Sequence, residues 1–250
     1  MQIISKAENE ADKQEAERIA KHMCLPLVED LPEGDKEELM LRFDSHGLAL
    51  VKGELVLRGD FTTMHKRLKP ANLRGELLVR AAKMKEPKEE RIAVDATAGM
   101  GEDALLLAAS GFHVRLYEYN PIIAALLRDA LRRAALVPEL EEAVSRMQLF
   151  EENSVHAMPD LQIRPDVILL DPMFPARQKS GLIKKKFQLI QELEQPCEDA
   201  EALMHAAVMA QPHKIIVKRP LKGPNLADMK PNYAIEGKGI RYDCITLCNL

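Results

Sequence analysis

The chain of 250 residues has no tryptophan, four tyrosines, six phenylalanines and four cysteines. Cys24, Cys197, Cys244 and Cys248 are too few and too scattered for a disulfide scaffold. Without a C-x-x-C pair there is no zinc knuckle or dithiol redox site to consider, and the histidines show no metal-ligand spacing, so no metal is expected. No stretch approaches the roughly 18 apolar residues of a membrane span. The opening segment MQIISKAENEADKQEAERIAKH is charged throughout and lacks the apolar centre of a signal peptide. Together these absences lead us to expect a reducing, cytoplasmic setting with no membrane partner. An excess of either charge is missing too. The 35 Lys+Arg stand against 39 Asp+Glu for a formal charge of -4, which excludes a uniformly basic nucleic-acid coat and makes any polyanion site local. The patterns G-x-x-x-x-G-K-[ST] and G-x-S-x-G do not occur, which leaves no warrant for an NTPase or a serine hydrolase.

What is present suits a cored globular protein: 46% of residues are hydrophobic and 30% charged. At this length one large domain, or a large one with a small appendage, is expected. Residues 8–23 read as an amphipathic helix, and between Leu39 and Phe61 apolar and polar residues alternate as in three short strands. We therefore expect a small helix-plus-antiparallel-strand unit over residues 1–63 and a catalytic domain over residues 64–250. The second begins with a linker-like basic stretch, 64–74, and a helix over Glu76 to Met84. From Arg91 onward strands and helices alternate. Strands are expected at 92–95, 114–117, 147–150, 167–170 and 215–217, with helices at 103–110, 122–135, 187–193 and 200–210 between them and a last β segment from Tyr242. That alternation implies an α/β, doubly wound, mostly parallel sheet with an antiparallel edge at its C-terminal end.

The loop after the first of these strands, Asp95-Ala96-Thr97-Ala98-Gly99-Met100-Gly101-Glu102-Asp103, lies where open α/β sheets bind ligands. Its G-x-G-x-x-A pattern also fits a dinucleotide fingerprint, but three residues separate the strand-ending Asp95 from Gly99. Glu102 and Asp103 would repel a pyrophosphate at the start of the following helix. A cationic ligand fits better, and S-adenosylmethionine, with its sulfonium and ammonium, is coherent with an acid-lined glycine loop. The plain alternative is a tight turn with an acidic helix start. Glu118 stands 23 positions after Asp95, near the usual spacing of a carboxylate that grips ribose hydroxyls. After the third strand, Asn153 and Ser154 supply polar groups where an adenine edge would lie.

Strand 167–170 runs into Asp171-Pro172-Met173-Phe174-Pro175. An exocyclic base amine is a poor nucleophile that needs alignment more than deprotonation. The Asp171 carboxylate and the Pro172 carbonyl can accept its two hydrogens while Phe174 stacks on the base. With aromatics at 4% of the chain, a phenylalanine fixed between prolines is hard to read as filler. Basic residues cluster around this segment: Lys66 and Arg67 before the core, Arg177 and Lys179 after the Asp-Pro motif, and Lys218 and Arg219 at the later strand, as on a phosphate-tracking face. The same amine geometry serves guanine N2 and adenine N6. A nicotinamide-dependent oxidoreductase would explain the nucleoside half alone, and a non-enzymatic RNA-binding or ribosome-assembly protein the basic face alone.

These residues, Asp95 to Gly101, Glu118 followed by Asn120-Pro121, Asp171 to Pro175 with Lys179-Ser180, and Val217-Lys218-Arg219-Pro220, resemble the RsmJ-type family of small-subunit ribosomal RNA guanine-N2 methyltransferases. The likeness runs from about Met64 to the tail. It implies a class I methyltransferase fold, S-adenosylmethionine as cofactor, and a guanine N2 in small-subunit (16S) RNA, in the assembled or nearly assembled particle, as acceptor. Carried over by position, Glu102, Asp103, Glu118, Tyr119, Asn153, Ser154 and Asp171 would contact the cofactor. The chain departs from the family pattern at Glu102, where a basic residue is common, and at Asn153, where Ser is expected.

Overall fold

A computed structural model describes residues 1–29, 38–86, 88–172, 189, 193 and 199–247. By internal contacts the chain forms two compact units, one holding residues 1–60 and 120–133, the other 61–119, 134–172 and 199–247 of the described chain.

The first unit opens with β1 (Ile3–Ser5), α1 (Glu10–Met23) and β2 (Leu27–Val28), and continues through β3 (Met40–Asp44), β4 (Gly47–Lys52) and β5 (Leu55–Leu57). Asn9 starts α1 by accepting the Asp12 N–H on its side chain, as expected of an N-cap. The sheet order is β2-β1-β3-β4-β5. β1 pairs in parallel with both β2 and β3, so the front sheet is mixed and not wholly antiparallel as its alternation suggested. Three- and two-residue strands carry no periodicity, and the helix between them is what allows the parallel crossover.

The β3–β4 hairpin turns through Ser45 and His46 into Gly47, whose φ of +97° belongs to glycine. A Cβ there would also collide with Asp129 and Arg133 of α6 (Pro121–Ala134). The reason is Asp129 itself. Its carboxylate, 1% exposed, accepts the Leu48 N–H at 2.9 Å, Arg133 Nε at 2.8 Å and an Arg132 nitrogen at 2.9 Å. Arg133 in turn donates to the Gly59 carbonyl. A buried acid that binds a strand amide and two guanidiniums thus ties α6 to the front sheet, joining segments distant in sequence.

The second unit holds β6 (Arg91–Asp95), β7 (Phe112–Tyr117), β8 (Met147–Phe150), β9 (Val167–Leu170), β10 (Lys214–Pro220), β11 (Tyr233–Glu236) and β12 (Ile240–Thr246) in the order β11-β12-β10-β9-β6-β7-β8. β10, β9, β6, β7 and β8 are parallel, and β12 and β11 add the expected antiparallel edge. The stretch 64–74 is not a plain linker. It forms short helical turns, α2 (His65–Leu68) and α3 (Pro70–Leu73), before α4 (Leu77–Ala82). α5 (Glu102–Ala109) packs on β7, α4 and α7 (Pro138–Val144), a helix the sequence reading did not isolate. α8 (Ser154–Ala157) and α9 (Ala200–Met209) pack together, with Val94, Ile168, Leu170, Val217 and Leu203 in one buried core. The helix expected at 187–193 lies almost wholly outside the described residues.

Replacing Asp129 with Ala leaves the Leu48 N–H without its acceptor and takes one partner each from Arg132 and Arg133, which keep Glu15 and the Gly59 carbonyl. The expected loss is about 1–3 kcal/mol, read as a lower denaturation midpoint at unchanged m-value. A change below about 0.5 kcal/mol, typical of a neutral surface substitution, would deny the network its role.

Candidate functional site

The carboxyl ends of β6, β7 and β9 are stitched together by the loop that leaves β6. The Ala96 N–H donates to Leu169 O of β9 at 3.0 Å, and two residues later the Ala98 N–H donates to Tyr117 O of β7 at 3.1 Å. The loop therefore crosses over the end of its own strand, held on both sides. Gly99 and Gly101 have φ of +52° and +77°, a region only glycine enters without strain. A Cβ on Gly99 would meet no atom within 4 Å, so it is the backbone path, not protein packing, that requires glycine here. Glu118, 4% exposed, accepts the Gly99 N–H at 3.0 Å and fixes the height of the loop.

Thr97 was not singled out in the sequence and proves to be the junction. Its N–H donates to Asp95 Oδ1 at 3.2 Å, while its hydroxyl oxygen accepts the Asp171 N–H at 2.7 Å. The residue after β9 is thereby held against the loop after β6. Beside it runs β10, with Val217 opposite Leu170, so that Lys218 falls next to Asp171. Lys218 Nζ donates to Asp103 Oδ2 at 2.7 Å and lies 2.8 Å from Asp171 Oδ2.

This changes the charge picture drawn from sequence. Asp103 at the start of α5 is paired, and Lys218, expected on a phosphate-tracking face, is turned into the carboxylates. Burial works against its charge, but Asp103 and Asp171 overcome that and hold the ammonium well above the ordinary lysine value. Burial raises the Asp171 carboxyl, and Lys218 pulls it back. Arg219, expected on the same face, is 2% exposed and donates to the Pro224 carbonyl, so its strand position buries it. Arg67 is held by Glu76 at 2.8 and 2.9 Å, while Lys66 is exposed. Phe174, Arg177 and Lys179 lie outside the described residues.

Of the other candidates, Glu102 is exposed on α5 and Tyr119 is 60% exposed just past Glu118. Asn153 caps α8 by accepting the Val155 N–H at 2.9 Å, and Ser154 is buried behind it. Pro172 is buried, directly after Asp171. Tyr117 stacks on Phe150 with ring centroids 5.1 Å apart, which stiffens the β7 and β8 ends that carry Glu118 and Asn153. Tyr242, another residue missed in the sequence, is buried on β12 opposite Lys218. Burial raises its phenol, and Asp103 adds to the effect. Among the described residues no group of three or more His, Cys, Asp or Glu could hold a metal ion, and no helix is long and apolar enough to cross a membrane.

Asp95 is 2% exposed, and its carboxyl is pushed up to about 8, first by burial and then by Asp103. A folded-state value above the unfolded one of 3.8 means that stability present at low pH is lost as pH rises from about 4 to 8. Asp95→Asn stays neutral, so its thermal midpoint should rise relative to wild type, with a gap that widens between pH 5 and 8. A gap independent of pH would show that Asp95 is ionised throughout.

The arrangement fits a cofactor with a nucleoside and an amino-acid end: a glycine loop with an open outer side, a strand-end glutamate 23 positions on, and acids with one ammonium at the adjoining strand ends. Comparison with known proteins agrees. Residues 27–246 match a family model described as "Putative SAM-dependent methyltransferase". A ribosomal RNA small subunit methyltransferase J of Thioalkalivibrio sulfidiphilus is 38% identical over 239 residues, covering 92% of this chain and 92% of that protein. One of the same name from Marinobacter nauticus is 41% identical over 214 residues, covering 82% and 76%. The crystal structure of an S-adenosylmethionine-dependent methyltransferase from Neisseria gonorrhoeae superposes with a TM-score of 0.74 at 26% identity, covering 98% of this chain and 96% of that one. The nicotinamide and non-enzymatic readings fall away. The fold is that of a class I methyltransferase with S-adenosylmethionine as its cofactor, and the chain belongs to the ribosomal RNA small subunit methyltransferase J family.

Proposed function

We propose that the protein methylates the exocyclic N2 of a guanine in small-subunit ribosomal RNA, within the assembled or nearly assembled subunit in the cytoplasm. The observation that carries this reading is the position of Asp171, bound through its N–H to Thr97 in the glycine loop, so that an acceptor carboxylate stands one hydrogen bond from the cofactor loop. The names of the relatives supply the RNA, and the Asp-Pro-Met-Phe-Pro sequence supports an amine acceptor.

In this reading Asp95, Gly99, Gly101, Glu102, Asp103, Glu118, Tyr119, Asn153, Ser154 and Asp171 form the cofactor side. When bound, S-adenosylmethionine supplies an electrophilic methyl group whose bond to sulfur breaks with the electron pair left on sulfur. The Asp171 carboxylate and the Pro172 carbonyl accept the two amine hydrogens and aim the nitrogen lone pair at that carbon, while Phe174 stacks on the flipped base. As the N–C bond forms the nitrogen gives up one proton, and the Asp171 carboxylate is its first acceptor, passing it to water. Lys66 with Arg177 and Lys179 would track phosphates. We also retain residues 64–250 as the proposed methyltransferase domain and 1–63 as its front unit.

The test is labelled-methyl transfer from S-adenosylmethionine to unmodified small subunits, with the modified nucleotide identified by digestion. Methylated guanine is expected, whereas label on an adenine N6 would overturn the base assignment. Asp171→Ala should abolish transfer with the fold intact, and full activity in that variant would remove Asp171 from the mechanism. Phe174→Ala should weaken the reaction by about 1–3 kcal/mol of base stacking, and an unchanged kcat/KM would refute the platform.

A further inference from the structure

Asp171 is held at two points. Its N–H is bound by the Thr97 hydroxyl, and its Oδ2 lies 2.8 Å from Lys218 Nζ. Among the described residues Oδ1 has no hydrogen-bond partner, although the side chain is only 38% exposed. The same ammonium reaches Asp103 at 2.7 Å, so one cation spans the start of α5 and the end of β9.

We propose that Lys218 is a positioning residue for methyl transfer: its ammonium clamps Oδ2 of Asp171 to Asp103 and leaves Oδ1 to accept the target amine. The proposal rests on the reading of Asp171 as amine acceptor given above. A carboxylate pinned at its backbone and at one oxygen has little freedom left about its side-chain torsions. Its other oxygen is then offered in one direction, which is what alignment of a weak nucleophile requires.

Charge supports the geometry. The titratable groups that face Asp171 are Asp95 from β6, Asp103 from α5, Lys218 and Arg219 from β10 and Tyr242 from β12. Burial and Asp103 favour the protonated acid, whereas Lys218 and Arg219 favour the carboxylate. Protonation would put a donor where the amine needs an acceptor. Lys218 is the one of these groups that makes an ion pair with Asp171, so its removal should both loosen the side chain and move the acid toward protonation.

The experiment compares Lys218→Met, Lys218→Arg, Asp103→Asn and Asp171→Asn with the wild type. Transfer to unmodified small subunits is followed from pH 5.5 to 9 at saturating cofactor, with calorimetric S-adenosylhomocysteine binding and thermal melting in parallel. Lys218→Met should lower kcat at pH 7 about tenfold or more and move the acid limb of its pH profile upward, with KM for the subunit little changed. Lys218→Arg keeps the charge and should restore the wild-type limb. Asp103→Asn removes a group that raises Asp171 and should move the limb downward. A Lys218→Met enzyme with the wild-type kcat and limb overturns the proposal. So does one that melts as wild type and loses activity with an unshifted limb that Lys218→Arg does not rescue. If Lys218→Met does not fold, Lys218→Gln, which stays polar and loses the charge, is read in its place: a lowered kcat with an upward limb supports the clamp, and the wild-type kcat and limb overturn it. Full activity in Asp171→Asn would instead remove the acceptor reading itself, leaving the two failures distinguishable.

Discussion

Carboxylates crowd one end of the larger sheet, and three different devices hold them there. Glu118 takes a backbone N–H of the glycine loop, Asp95 is buried deeply enough to favour its proton, and Asp103 and Asp171 share the ammonium of Lys218. Ionised together in a half-buried site these acids would repel one another strongly, since the interaction of unit charges a few ångströms apart grows severalfold as water is excluded. The order of the parallel strands is what makes the arrangement possible. β10, β9, β6 and β7 are neighbours, so their ends present Lys218, Asp171, Asp95 and Glu118 in a row, with α5 bringing Asp103 above them.

The loop after β6 ties that row into one candidate site. Its amides are bound to carbonyls of β9 and β7, and Thr97 adds a side-chain link to the first residue past β9. Three strand ends, those of β6, β7 and β9, are thereby fixed by a handful of hydrogen bonds and a dry core in which Val94, Ile168, Leu170 and Val217 are buried. Rigidity of this kind precedes any ligand: the groups are arranged by the fold.

Much of this was legible in the sequence, for identifiable reasons. Strands 147–150 and 167–170 coincide with β8 and β9 because apolar runs bounded by polar turns leave little choice, and Asn120 before Pro121 marks the start of α6. The glycine loop, Glu118 and Asp171 could be singled out as candidates because strand ends are where α/β sheets carry chemistry. β1 and β2 escaped because two or three residues have no period, and α7 because Pro138 and a run of glutamates resemble a loop. The pairing of Lys218 with two acids was hidden for a deeper reason. A lysine in a basic stretch looks the same whether it faces solvent or two acids, and only the register of β10 on β9 shows which. Thr97 was invisible likewise, since its role depends on an amide 74 positions away.

The Asp129 network ties Leu48 and Gly59 to a helix that begins at residue 121. During synthesis the front sheet therefore emerges well before the groups that complete it. At roughly 5–20 residues per second the ribosome needs several seconds to make the intervening chain. Through that interval the Leu48 amide and the Gly59 carbonyl lack the partners they have in the folded chain, and the turn before β4 lacks the helix residues Asp129 and Arg133. The nascent chain thus waits for its own distant segment, and the same ribosomal machinery that sets that delay is assembled from the RNA on which this family acts.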